Sequence, residues 1–165
     1  MFKVGIIGPE ASGKSTLARY LAKRYNALLI PEYAREYVET ERIRRQSNQP
    51  IEVSFDELCI IAKQQIAQLQ TLTPTNNEEV AIFDTELIVT KVWFEYAFGE
   101  VPDWLEEAIK KHPMDVYLLT YPDIEWTQDG ARYNGSDEIR MELFERYERE
   151  IQQLGIPYYI ITHQT

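Results

Sequence analysis

The sequence predicts an α/β fold in which a five-stranded parallel sheet is covered by helices on both faces. Three observations carry this. Short apolar runs with little polar alternation recur from end to end, as the buried strands of a parallel sheet do. Helix-like segments separate them, and an alternating order of this kind closes into layers around one sheet. The third is Gly8-Pro9-Glu10-Ala11-Ser12-Gly13-Lys14-Ser15, which joins the first strand to the first helix in the form G-x-x-x-x-G-K-[ST].

The elements follow in order. Phe2 to Ile7 (FKVGII) reads as a buried strand, and Ser15 to Tyr25 as an amphipathic helix. Ala27 to Ile30 is a second short strand, closed by Pro31. Ser54-Phe55-Asp56-Glu57 has the capping-box form S-x-x-E and opens a helix to about Leu72. Pro74 to Glu78 is a polar turn, and Val80 to Phe83 is a third strand ending on Asp84. Glu86 to Phe98 is helical and stops at Gly99; Pro102 to Lys111 is a shorter helix with proline near its start. Asp115 to Leu119 is the fourth strand. Ser136 to Leu154 is a long charged helix stopped by Gly155, and Tyr158 to Ile161 is the fifth strand. The 165 residues fit one domain, 1–165, with no internal repeat.

Composition narrows the function. With 44% apolar and 27% charged residues, the chain has the make-up of a folded protein and not of a disordered one. No apolar run approaches a membrane span, and the N-terminus reads as a strand and not as a signal peptide. The lone Cys59 lies in an apolar stretch, which rules out an internal disulfide and fits a core residue in a reducing cytosol. A net charge of −10 argues against broad contact with nucleic-acid phosphates. The expectation is a cytoplasmic protein whose partner is a small molecule, without nucleic acid or membrane.

In open parallel sheets ligands bind beyond the carboxyl ends of the strands. The informative residues are therefore Gly8 to Ser15, Glu32 to Glu36, Asp84 to Glu86 and Thr120 to Arg132. In the first group, glycines let the backbone curl so that N–H groups point inward, and the helix start adds favourable partial charge for a phosphate chain. Lys14 would reach the β- and γ-phosphates, and the Ser15 hydroxyl would sit on Mg²⁺. Asp84, after four apolar residues, has the Walker-B form and would hold Mg²⁺ or its waters; it also has the form of an N-cap for the following helix. Glu32 ends the second strand and could accept the proton of an attacking hydroxyl. Arg35 would contact substrate or form a solvated pair with Glu36. Tyr33, Trp93 and Trp126 offer stacking surfaces, although core packing is the ordinary role of an isolated helical Trp such as Trp93. The long polar stretch from Thr120 to Asp137 reads as a lid, at about 121–140. Its Arg132, with Arg140 in the following helix, would close over the transferring phosphate.

Together, GPEASGKSTLA, PEYAREYVE, FDTELIVTKVWFEYAFG and the DIEW and DGAR segments resemble the nicotinamide riboside kinase domain of NadR-type proteins, a P-loop kinase family. The resemblance runs from about residue 3 to residue 162. It implies a three-layer P-loop kinase fold and ATP-dependent phosphorylation of the 5′-hydroxyl of nicotinamide riboside, giving nicotinamide mononucleotide. By matching motif it implies that Gly8, Glu10, Ala11, Ser12, Gly13, Lys14, Ser15 and Thr16 hold ATP, and that Ser15 and Asp84 serve Mg²⁺. Glu32, Tyr33, Asp84, Thr85 and Trp93 would line the riboside pocket, joined by Trp126, Asp129 and Arg132. It leaves the base open between Asp84 and Glu32. Two other classes compete: another nucleoside or nucleotide kinase, and an ATP-binding sensor without turnover. A GTPase switch is disfavoured, since N-K-x-D is absent and Asp84 does not begin D-x-x-G.

Overall fold

The structure, a computed structural model, describes residues 1–10, 12–122 and 137–162. Strands β1 (Phe2–Ile7), β2 (Leu28–Ile30), β3 (Val80–Asp84), β4 (Val116–Thr120) and β5 (Tyr158–Ile161) form one sheet in the order β2-β3-β1-β4-β5. Every pairing is parallel, with Ile6 opposite Asp84 and Ile7 opposite Leu119 at the carboxyl ends. The sheet reverses direction of growth at β1, so the crevice at a topological switch point opens beside the glycine loop.

Side chains alternate across a strand, so neighbouring residues serve opposite layers. Ile6 and Ile82 meet Ala18 of α1 (Lys14–Arg24) on one face. Ile7, Phe83, Tyr117 and Leu119 meet α4 (Leu87–Phe98) and α6 (Asp137–Leu154) on the other, through Ile88, Val92, Phe144 and Ile151. A second apolar cluster joins α3 (Phe55–Gln70), α4 and α5 (Asp103–Lys111) through Leu58, Ile61, Phe94 and Leu105. The expected architecture of a parallel sheet with helices on both faces is present. Ser54 caps α3 with the reciprocal capping box read from its sequence.

One helix departs from the sequence reading. The sequence reading places no element between Pro31 and Ser54, yet Tyr33–Arg44 is helical (α2). Only Ala34 of it is fully buried, so it lacks the broad apolar stripe by which a helix is recognised. Charge pairs one turn apart run along its exposed side instead: Arg42 with Glu39, and Arg44 with Glu41. The strand ends also shift by a residue, placing Asp84 and Thr120 inside β3 and β4 as their last members.

Candidate active site

The glycine loop is fixed from beneath. Gly13 takes φ 85°, a left-handed conformation that glycine adopts without steric cost, and opens α1. Gly8 is required for a different reason: a Cβ there would stand 2.0 Å from Thr120 Oγ1. Thr120, at the end of the neighbouring strand, closes on the loop through a 2.5 Å hydroxyl–hydroxyl bond with Ser12, whose Oγ also donates to the Pro9 carbonyl at 2.6 Å. Both hydroxyls are buried, so the loop is tied to β4 by bonds that water does not contest.

Lys14 donates from Nζ to the Pro9 carbonyl at 3.0 Å. Burial pulls its ammonium below the usual range, while Glu32, Asp84 and Glu10 oppose that pull and Arg35 adds to it. Glu10 of the loop, Glu32 just beyond β2 and Asp84 at the end of β3 thus set three carboxylates near one lysine. Ser15 Oγ donates to Asp84 Oδ2 at 2.7 Å, and Asp84 Oδ1 is buried with no hydrogen-bond partner among the described residues. Two hard oxygen donors thus converge, one with unused acceptor capacity.

Asp84 does not cap α4. Glu86 does, accepting the Ile88 N–H on Oε1 at 3.0 Å. Between them Thr85 sits at φ 71°, costly for a β-branched residue by about 1–3 kcal/mol, and its N–H donates to the Ile6 carbonyl at 2.9 Å. The Thr85 hydroxyl is buried without a partner among the described residues. Strain and an idle hydroxyl at one position mark a residue shaped for something outside the fold.

Glu86 itself is buried, and desolvation raises its carboxyl to about 7 despite bonds from the Ile88 and Leu87 amides and the Tyr117 phenol. Burial and the Glu86 charge in turn push the Tyr117 phenol well up. The folded state therefore keeps the Glu86 proton to about 7, whereas the unfolded chain releases it near the ordinary 4.5. That stabilisation is complete below pH 4.5 and is lost as pH rises toward 7, by on the order of 3 kcal/mol. In urea titrations the stability of wild type relative to Glu86→Gln is expected to fall across this window. A flat difference would show that the carboxyl is not held protonated.

The other expected residues divide. Glu32 caps the start of α2 by position and lies within 3.2 Å of Arg35, without hydrogen-bond geometry, leaving its Oε2 buried and unbonded. Arg35 is 69% exposed, so the solvated-pair reading fits it, although its partner is Glu32 and not Glu36. Tyr33 lines a pocket at the carboxyl ends of β2 and β3, together with Ile30, Gln65, Leu69, Phe83, Thr85 and Glu86. Trp93 is half-buried and packs into the cluster of Leu58, Phe94 and Leu105, beside Tyr33 and Tyr37. Thr16 is exposed on α1. Arg140, in the first turn of α6, is buried and donates from Nε to the Glu10 carbonyl at 3.1 Å, so it grips the loop's backbone. Ala11, Trp126, Asp129 and Arg132 lie outside the described residues, as does most of the expected lid.

Thr120 and Glu86 fall within the stretches marked as informative, but their roles were not read; Gln65 was missed outright. Gln65 was the one with a readable signal. Leu58, Ile61, Ala62 and Gln65 follow the i, i+3, i+4, i+7 spacing of one helix face, and all four are buried.

The described residues contain no helix long and apolar enough to cross a membrane. The chain is 28% identical over 139 residues to the trifunctional NAD biosynthesis/regulator protein NadR of Escherichia coli K12, a match covering 84% of this chain and 33% of that protein. It therefore spans about a third of that relative's length. A crystal structure of NadR protein in complex with NR superposes with a TM-score of 0.78 at 26% identity, covering 96% of this chain and 45% of that one. Deoxyadenosine kinase from M. mycoides shares the fold, with a TM-score of 0.61 at 16% identity over 99% of this chain and 92% of that one. The model of the AAA domain family matches residues 3–165, and with the loop, sheet order and paired Ser15 and Asp84 described above, the chain belongs to that family.

Proposed function

We propose that this chain is an ATP-dependent kinase that phosphorylates the 5′-hydroxyl of nicotinamide riboside. One observation carries the reading beyond nucleotide binding: Lys14, the Ser15–Asp84 pair and the half-buried Glu32 carboxylate gather beside a pocket lined by Tyr33 and Thr85. A phosphate donor site alone has no use for the second half of that arrangement. The likeness to NadR, crystallised with NR, supplies the acceptor.

In the reaction the acceptor oxygen bonds to the γ-phosphorus as the bond to the β,γ-bridging oxygen breaks, and ADP leaves. The acceptor's proton passes to a carboxylate. Asp84 accepts the Ser15 hydroxyl and suits Mg²⁺ with it, whereas the Glu32 carboxylate, paired with Arg35 through Oε2 at 3.2 Å, accepts no hydrogen bond among the described residues; Glu32 is the base in this proposal and Asp84 the residue that cannot be spared. Ser15 Oγ and the Asp84 carboxylate suit Mg²⁺, a hard ion that takes one or two protein oxygens and fills its shell with phosphate and water. When bound, Mg²⁺ neutralises phosphate charge. Lys14 places its ammonium at the same phosphates, and the loop N–H groups orient them. Segment 121–140, with Trp126, Asp129 and Arg132, is proposed to close the single 1–165 domain over the acceptor.

The test is product formation from Mg·ATP and a nucleoside panel. Nicotinamide mononucleotide is expected from nicotinamide riboside. Phosphorylation of a deoxynucleoside alone would replace the substrate, and ADP release indifferent to any acceptor would replace the kinase.

A further inference from the structure

Gln65 is an unusual residue to find in this core. It is 6% exposed on α3, in the company of Leu58, Ile61 and Ala62. Glutamine is mostly a surface residue, and a buried amide is costly unless its carbonyl and both N–H groups are satisfied. Here only half is. Gln65 Oε1 accepts the Thr90 hydroxyl at 2.6 Å, which fixes the plane of the amide. Its Nε2 has no partner among the described residues, and the side chain lines the pocket beside Tyr33, Thr85 and Glu86. Thr90 is 2% exposed, so the bond that orients the amide is shielded from water. The pocket also holds a second idle polar group, the buried Thr85 hydroxyl. Apolar walls come from Ile30, Leu69 and Phe83.

A concave apolar space with a few fixed polar groups is the ordinary form of a small-molecule site. The N–H₂ group of a side chain that lines it, with its carbonyl already held by Thr90, can donate to a carbonyl oxygen. We infer that Gln65 is a specificity-determining residue, donating from Nε2 to the carbonyl of the carboxamide on the acceptor's ring, with Thr90 holding the amide in place. This rests on the proposed function, because it takes the acceptor to be a carboxamide-bearing riboside. The competing explanation is structural: the Gln65–Thr90 bond merely staples α3 to α4. A staple affects stability but cannot distinguish one ring substituent from another.

The discriminating measurement is a ratio. Wild type is assayed with nicotinamide riboside and with pyridine riboside, which lacks the carboxamide. A site built around a buried hydrogen bond disfavours an analogue that leaves its donor unpaired, and the cost of one unpaired group corresponds to a kcat/KM ratio of about 100. Gln65→Leu should bring that ratio close to one, chiefly by raising KM for nicotinamide riboside. Thr90→Val, which keeps the shape of the side chain and frees the amide, should lower the ratio several-fold and serves if Gln65→Leu fails to fold. A lowered melting temperature with the ratio unchanged in Thr90→Val would leave only the staple and overturn the inference. So would a wild-type ratio near one. If wild type phosphorylates neither riboside, the kinase reading itself falls, an outcome distinct from both.

Discussion

Lys14→Ala is expected to lower kcat by about 100- to 1,000-fold while the protein still folds, the loss typical of removing one preorganised charge partner from a transferring group. Lys14 is held by its own loop, with Nζ on the Pro9 carbonyl, so its position does not depend on a searching side chain. Its desolvated ammonium is surrounded by the carboxylates of Glu32, Asp84 and Glu10. Taking it away removes the nearby positive charge that offsets those three acids where a polyanion must approach. The truncated site would thus repel the phosphate chain as well as fail to stabilise its transfer, so KM for ATP should rise together with the fall in kcat. Steady-state kinetics with a melting curve checks both parts. An unchanged rate would remove this loop from the chemistry.

The parts of this site that were legible in the sequence are those whose chemistry is local. Gly8, Gly13, Lys14 and Ser15 belong to eight consecutive residues, and backbone sterics there dictate residue type almost position by position. The two readings of Asp84 could not be separated locally, because a carboxylate before a helix satisfies either. The fold separates them: Glu86, two residues on, takes the capping role and leaves Asp84 to Ser15 across the sheet. Helix α2 was illegible because its apolar face is thin, only Ala34, Tyr33 and Tyr37 packing into the cluster with α3 and α4, while charge pairs run along the rest. Thr120 lay at the head of a marked stretch, but its role could not be read. Its importance arises from pairing between β1 and β4, which sets it under Ser12 at a separation of 108 residues. Gln65 stood in plain view on a buried helical face, where a polar residue at an apolar position is the signal.

Asp84→Asn separates metal holding from helix starting. The substitution keeps one carbonyl oxygen to accept the Ser15 hydroxyl, so the 2.7 Å bond has a replacement acceptor. It converts the buried, unpartnered Oδ1 into an N–H₂ group, or flips to put that group against Ser15. Either way a full negative charge disappears from the point where Ser15, Lys14 and Asp84 meet, and an N–H₂ group cannot bind a cation. Activity should therefore drop by about 100-fold or more, and the Mg²⁺ concentration giving half-maximal rate should rise. The stability change should be small and of mixed origin. A buried donor left unpaired costs about 1–3 kcal/mol, but relief of repulsion among Asp84, Glu32 and Glu10 offsets part of it. Helix α4 has no stake in the exchange, because its first turn is capped by Glu86. If the variant instead lost stability with catalysis and Mg²⁺ response intact, Asp84 would be a structural residue after all. Glu32 would then stand as base with no metal ligand opposite Ser15, an arrangement that would leave the Ser15 hydroxyl without a purpose in phosphoryl transfer.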